Sequence, residues 1–260
     1  MQVRMDGRKA VITGASLGLG RAMAMRFAEA GAEVAIVARR ADVLEEAKAA
    51  IAAATGGKVH AVVGDVSTAE GCQAVFDGAV AAMGQVDVLV NNAGSSARMP
   101  FAEITDELWQ SDLDLKLFAA IRLCRLAVPP MRSRKWGRVI NVLNTGAKAP
   151  PAQGAPTAVT RAAGMALTKV MAAEAVKDNV LVNALLVGRI ESDQWVRRHS
   201  AENKGRSLDD YYAEMGKGLP MGRLGTSEEF ANAACFLASE QGSYISGVAL
   251  NVDGGLSPVV

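Results

Sequence analysis

The chain has 260 residues, half of them hydrophobic, and 28 basic side chains against 27 acidic ones leave a net charge of +1. That length and apolar share allow a large α/β core, and the near-neutral balance provides no basic face for nucleic acid. Three widely separated cysteines (Cys72, Cys124, Cys235) read as small core residues, and two histidines are too few for a histidine metal cluster. No secretory leader or membrane span is expected, so the composition points to a cytoplasmic protein with no metal, membrane or nucleic-acid partner.

The first predicted strand, Lys9-Ala-Val-Ile-Thr13, runs into Gly14-Ala-Ser16-Leu17-Gly18-Leu19-Gly20 and then a helical run over Arg21–Ala30. Strand, glycine turn and helix in that order suit a dinucleotide. Glycines let the backbone approach a pyrophosphate, and the unpaired amides at the helix start favour an anion. The continuous apolar run Val34–Ala38 predicts a second strand of the kind covered by helices on both faces. A helix over 42–54, a strand over Lys58–Val63, a helix over Thr68–Met83 and a strand over Val86–Val90 continue the alternation. His60 in the third strand is expected to be a packed core residue. A long helix is predicted from about Thr105 to Met131, ending near Pro129-Pro130 because proline cannot extend it. The basic run Arg132–Arg138 beyond it reads as a solvated helix end. A fifth strand over Arg138–Leu143, a helix from Pro156 to about Lys177 and a sixth strand over Val180–Leu185 follow. The polar stretch 191–218, with Ser192, Asp193, His199, Asn203 and a Tyr211-Tyr212 pair, reads as a helical lid over a substrate cleft. A helix over Ser227–Ser239 and a strand over Val248–Val252 complete the alternation. Without linker or repeat, this predicts one domain over 1–260. It is α/β, a single doubly wound parallel sheet of Rossmann type with helices on both faces and a small helical lid.

The spacing Gly14-xxx-Gly18-x-Gly20 resembles the cofactor turn of the short-chain dehydrogenase/reductase family. Gly64-Asp65-Val66 and Asn91-Asn92-Ala93-Gly94 resemble the family's elements after the third and fourth strands. So do Pro220–Gly225, Phe236–Ser239, Tyr244–Gly247 and Asn251–Gly255 in the C-terminal third. The resemblance covers nearly the whole chain and implies an oxidoreductase acting on a hydroxyl or carbonyl group. It implies cofactor contacts from Gly14, Ser16, Leu17, Gly18, Leu19 and Gly20, and from Asp65 and Val66 at the adenine. Asn92, Ala93 and Gly94 join them, with Gly188 and Ile190 at the nicotinamide. At the end of the second strand Ala38 stands where an acidic residue would favour NAD, and Arg39 and Arg40 follow. Without a repelling carboxylate, a guanidinium can hold a 2′-phosphate in a forked geometry. NADP(H) is therefore the expected cofactor, with NAD(H) as the alternative, although Leu17 stands where many NADP-binding relatives carry a basic residue. The family assembles through its C-terminal tail and two long central helices. The apolar tail Tyr244–Val260 and Leu113, Leu117, Ile121 and Leu123 on the long helix predict a homotetramer or, failing that, a dimer.

Active members of the family carry an Asn, a Ser, a Tyr and a Lys in the cleft. Aligned without gaps, these positions fall on Lys116, Asn144, Thr157 and Arg161. A threonine hydroxyl is too weak an acid to replace a lysine-activated phenol, and arginine stays charged and cannot act as a base. Thr157→Val is accordingly expected to matter little. Arg161 could still hold the cofactor ribose, and Asn144 could hydrogen-bond a carbonyl or carboxylate. Lys116 can shuttle a proton if burial and Arg161 lower its pKa. In a purely structural role it would bridge helix carbonyls or a buried carboxylate such as Asp112 or Asp114. Tyr211 and Tyr212 in the lid are the other candidate acids. Lys148 and Arg189 near the cleft mouth, with Lys116 and Arg161, point to a small anionic substrate. The leading reading is an NADP(H)-dependent oxidoreductase with a displaced acid. The alternatives are a non-redox lyase or hydrolase on the same scaffold, and an inactive nucleotide-binding homologue.

Overall fold

The computed structural model describes residues 2–202 and 205–260. The first half runs β1 (Lys9–Thr13), α1 (Gly18–Glu29), β2 (Glu33–Ala38), α2 (Ala41–Thr55), β3 (Val59–Val63), α3 (Ala69–Met83) and β4 (Val88–Asn91). Then come α4 (Asp106–Leu113), a π-helical turn (Asp114–Phe118), α5 (Ala119–Ser133), β5 (Gly137–Asn144), α6 (Thr157–Ala175) and β6 (Val180–Val187). The last elements are α7 (Asp193–Glu202), α8 (Leu208–Gly216), α9 (Ser227–Ala238) and β7 (Ala249–Val252). All strands pair in parallel, in the order β3-β2-β1-β4-β5-β6-β7. This is the single doubly wound sheet expected from the alternation. Strand order reverses between β1 and β4, which leaves a crevice at their carboxyl ends.

The central strands are nearly all buried because helices cover both faces. Phe27, Leu44, Ile51 and Phe230 pack α1, α2 and α9 on one side of the sheet. Cys72, Val75, Leu123, Met131 and Ala172 pack α3, α5 and α6 on the other. The three cysteines are free and buried, as core residues should be. Leu123, expected at a subunit contact, belongs to this core instead. Leu113, Leu117 and Ile121 are only half-buried. No helix among the described residues is long and apolar enough to cross a membrane.

Three local expectations need correction. The long helix is divided by the π turn, and α5 continues through Pro129 and Pro130 to Ser133. A proline removes its own amide but keeps its carbonyl. Pro129 accepts from Ser133 Oγ and Pro130 from the Arg134 amide, both at 3.2 Å, so the last turn holds. The basic run after it is not merely solvated: Arg132 and Lys135 hold Asp178 at 2.6 and 2.5 Å, and buried Arg138 lies 4.3 Å from the Trp136 ring centroid. His60 is half-buried, outside the core, with Nε2 2.8 Å from Glu33 on the neighbouring strand. The 191–218 segment is two helices, tied by His199 Nε2 to the Arg206 carbonyl at 2.8 Å and by His199 against the Tyr211 ring. Asn203 lies outside the described residues.

Candidate active site

A cleft of about 1330 Å³ opens at the carboxyl ends of the strands. Gly14 and Gly18 have φ of +64° and +54°, the left-handed region that favours glycine. A Cβ on Gly20 would lie 2.2 Å from the Gly14 carbonyl oxygen, so the turn has no room for one. Asn92 Nδ2 donates to the carbonyls of Thr13 and Gly14 at 2.8 and 3.1 Å, and Thr13 Oγ1 accepts the amides of Asn92 and Ala93 at 3.0 Å. The glycine turn is thereby locked to the end of β4. Helix α1 starts at Leu17 with no side-chain cap and no acid in its first turn, whereas Thr68, Thr105, Ser207 and Thr226 cap α3, α4, α8 and α9. Its free amides and positive dipole end lie at the cleft wall, where an anion can take them up.

The expected nucleotide residues share this one cleft. Gly14, Ser16, Leu17, Gly18, Leu19 and Gly20 line it from the turn, and Arg39, Arg40, Asp65 and Val66 from the ends of β2 and β3. Asn92, Ala93 and Gly94 line it beyond β4, and Gly188 and Ile190 beyond β6. The largely exposed Arg39 guanidinium stands 3.9 Å from Asp65. Asp65 accepts the Ser67 amide at 3.0 Å, and that bond holds its pKa below the ordinary carboxylate value. Ala38 brings no carboxylate to this end. The cradle fits a dinucleotide whose adenosine ribose carries a phosphate.

The π turn aims Lys116 inward, with only 1% of its side chain exposed. Its ammonium donates to Asp112 Oδ1 on the same helix and to Thr157 Oγ1 at 2.8 Å. Asp114 instead takes Arg122 at 3.1 Å. Burial lowers the Lys116 pKa to about 8; the hydrogen bond to Asp112 opposes the fall, and Arg161 adds to it. Thr157 Oγ1 also accepts the Ala97 amide at 3.0 Å and donates to the Ala97 carbonyl at 2.8 Å. One turn along α6, Arg161 donates to the Val142 carbonyl at 2.8 Å, and burial brings its pKa down to about 10. Its Nη2 lies 2.5 Å from where a Cβ on Gly94 would sit, so a side chain there would displace the guanidinium. Asn144 Oδ1, at the end of β5, is buried with no hydrogen-bond partner among the described residues. Asn144, Thr157 and Arg161 line the cleft; Lys116 does not, and stands behind Thr157.

Three expected contributors lie elsewhere. Lys148 does not reach the cleft mouth, because its Nζ donates to the Ala249 carbonyl at 2.6 Å. Tyr211 is buried under α7, with Tyr212 beside it, and neither lines the cleft. Arg189 does line it, together with Arg98, Trp195 and Arg198, which sequence reasoning missed. The signal was present: Arg98 stands just past Gly94, and Trp195-Val-Arg-Arg198 falls in the segment already assigned to the substrate side.

The family model described as enoyl-(acyl carrier protein) reductase matches residues 14–257. Over 258 residues the chain is 34% identical to the 3-oxoacyl-[acyl-carrier-protein] reductase FabG of Chlamydia muridarum, covering 99% of this chain and 100% of that protein. The crystal structure of L-sorbose reductase from Gluconobacter frateurii, complexed with NADPH and L-sorbose, matches with a TM-score of 0.94 at 36% identity over 100% of both chains. The NADPH-bound structure of a short chain oxidoreductase from Pseudomonas aeruginosa PAO1 containing an atypical catalytic center matches with a TM-score of 0.91 at 35% identity over 99% of both. The glycine turn, the parallel sheet and these full-length likenesses agree, and the chain belongs to the short-chain dehydrogenase/reductase family of oxidoreductases.

Proposed function

We propose that the protein is an NADP(H)-dependent oxidoreductase that interconverts a carbonyl and a hydroxyl group on a small anionic substrate, with the proton supplied through Thr157 and Lys116 and not by a tyrosine. The observation that carries the reading is the 2.8 Å bond between the buried Lys116 ammonium and the Thr157 hydroxyl in the cleft wall. NADP(H) is supported by the uncapped start of α1, by Ala38 followed by Arg39, and by the NADPH-bound relatives. Lys116, Asn144, Thr157 and Arg161 stand where active relatives carry their Asn, Ser, Tyr and Lys, so the usual phenol is replaced by a two-residue relay.

Bound NADPH supplies the hydride to the carbonyl carbon. As the carbonyl oxygen gains negative charge, the Thr157 hydroxyl turns from the Ala97 carbonyl, gives its proton to that oxygen and regains one from Lys116. The neutral lysine is then reprotonated from solvent. Burial makes the ammonium a stronger acid than an ordinary lysine, which suits it to this task near neutral pH. Arg161 remains charged and would hold the cofactor ribose. The unpartnered Asn144 Oδ1 accepts a hydrogen bond from the substrate. The α7–α8 segment acts as the lid, and the protein assembles as a homotetramer. No observation favours the lyase, hydrolase or inactive alternatives.

The test is NADPH oxidation over a panel of anionic and neutral carbonyl compounds with the unmutated protein and Lys116→Met. Turnover is expected with anionic compounds only, and Lys116→Met should lower it about 10²–10⁴-fold with NADPH affinity unchanged. Full turnover in Lys116→Met would refute the relay.

A further inference from the structure

A side pocket of about 290 Å³ opens off the nucleotide cleft, walled by Ser96 and Gln153 and by Arg98, Arg189 and Arg198 around Trp195. The three arginines come from separate elements: the loop after β4, the loop after β6, and α7. Arg98 is placed by its backbone bridge to Pro156 and by the Thr157 bonds to the preceding Ala97. The guanidiniums of Arg189 and Arg198 stand 5.0 and 5.5 Å from the centroid of the same Trp195 ring.

None of the three forms an ion pair among the described residues, although Arg197 on the same helix pairs with Asp193 at 3.0 Å. Three converging like charges with no counter-charge repel one another, and the repulsion is relieved when an anion enters. The Arg189 pKa is lowered by burial first and then by Arg98 and Arg198, in keeping with that convergence. Its arginines also border the main cleft, but no residue of the glycine turn and neither Arg39 nor Arg40 walls this pocket, so it stands apart from the residues expected at the pyrophosphate and the 2′-phosphate. A single carboxylate is satisfied by one forked arginine; three forks match a group with two charges and three or more acceptor oxygens.

We propose that Arg98, Arg189 and Arg198 form a subsite for a doubly charged oxyanion head group of the substrate, a phosphate monoester or a dicarboxylate. The subsite deepens the function proposed above and rests on it for the reaction at the other end of the substrate. The Thr157–Ala97–Arg98 connection then joins the proton relay to the head-group site, so one strap of chain sets the distance between them.

The experiment is calorimetric titration of the NADPH-saturated protein with phenyl phosphate, malonate and acetate. At least one dianion should bind one-to-one, more tightly than acetate and more weakly as salt is raised. Arg98→Gln and Arg198→Gln should each weaken it about tenfold or more, with NADPH affinity unchanged. Both side chains are exposed, so folding should survive, and circular dichroism checks this. The tighter of the two dianions identifies the head group. Acetate binding as well as both dianions, or dianion affinity unchanged in both variants, would overturn the proposal. If NADPH itself fails to bind, the function proposed above falls, and the same titrations on the nucleotide-free protein decide the subsite alone.

Discussion

The hydroxyl of Thr157 is clamped to both backbone groups of Ala97, accepting its amide at 3.0 Å and donating to its carbonyl at 2.8 Å. With Lys116 as a third partner at 2.8 Å, the hydroxyl's one donor and two acceptor positions are all in use. The sequence-based expectation that Thr157→Val is harmless is therefore revised. Valine would take one of its two partners from the buried ammonium, which keeps Asp112, and would leave both backbone groups of Ala97 without this hydroxyl, at a cost of roughly 1.5–3 kcal/mol, the range for bonds to charged groups. Urea unfolding should show that loss, and turnover should fall with it. Thr157→Ser keeps the oxygen and should restore both. A valine variant as stable and active as the unmutated protein would show the clamp to be idle.

The buried Lys116 sets a pH dependence whose direction can be worked out. Its pKa falls from 10.5 to about 8 in the folded chain, so the unfolded chain holds more protons between those values. Its contribution to stability therefore rises with pH from about 8 towards 10.5. In the proposed relay carbonyl reduction needs the ammonium, so kcat/KM for reduction should fall as pH rises through about 8, while alcohol oxidation should gain. Asp112 raises the Lys116 pKa, so Asp112→Asn should move that limb to lower pH. A limb that stays in place in Asp112→Asn, or persists in the residual activity of Lys116→Met, would assign it to another group.

Assembly can be tested at the surface of the central helices. Leu108 and Phe118 are 39% and 38% exposed beside α5, and Val159 and Val170 on α6 are 53% and 56% exposed. Closed two-fold symmetric packing would bury these faces together with the tail around Tyr244 and Leu250. Light scattering at micromolar concentration should give four times the 27.1 kDa chain mass. Phe118→Glu should lower the assembly state, because it places a charge at the contact. A single-chain mass for the unmutated protein would refute the tetramer.

The strands were legible because parallel strands covered on both sides read as unbroken apolar runs, and Val34–Ala38 needed no further signal. The glycine turn was legible because a Cβ at Gly14 or Gly20 would collide with backbone, and Gly18 takes a left-handed φ that favours glycine. The aim of Lys116 was not fixed by helical periodicity, because the π turn shifts the phase at that residue. The fates of Lys148, Tyr211 and the basic run were hidden for a different reason. Each is decided by a partner distant in sequence: the Ala249 carbonyl, His199 and Asp178 respectively. The arginine cluster is the extreme case, since convergence of three loops and helices is a property of the folded chain alone.

Cofactor choice should follow the end of β2. The Arg39 side chain is 73% exposed, and its 3.9 Å pairing with Asp65 is a weak surface contact, so it can turn to a 2′-phosphate at little cost. Calorimetry should show NADPH binding more tightly than NADH. Arg39→Ala should remove roughly 1.5–3 kcal/mol of NADPH affinity, about ten- to a hundred-fold, and leave NADH nearly unchanged. Ala38→Asp should act in the opposite sense for the two cofactors: its carboxylate repels the phosphate and accepts the free ribose hydroxyls. The two substitutions change different terms, one the attraction and the other the repulsion. The double variant should therefore favour NADH more strongly than either alone. Equal affinity for the two cofactors in the unmutated protein would remove Arg39 from the cofactor site.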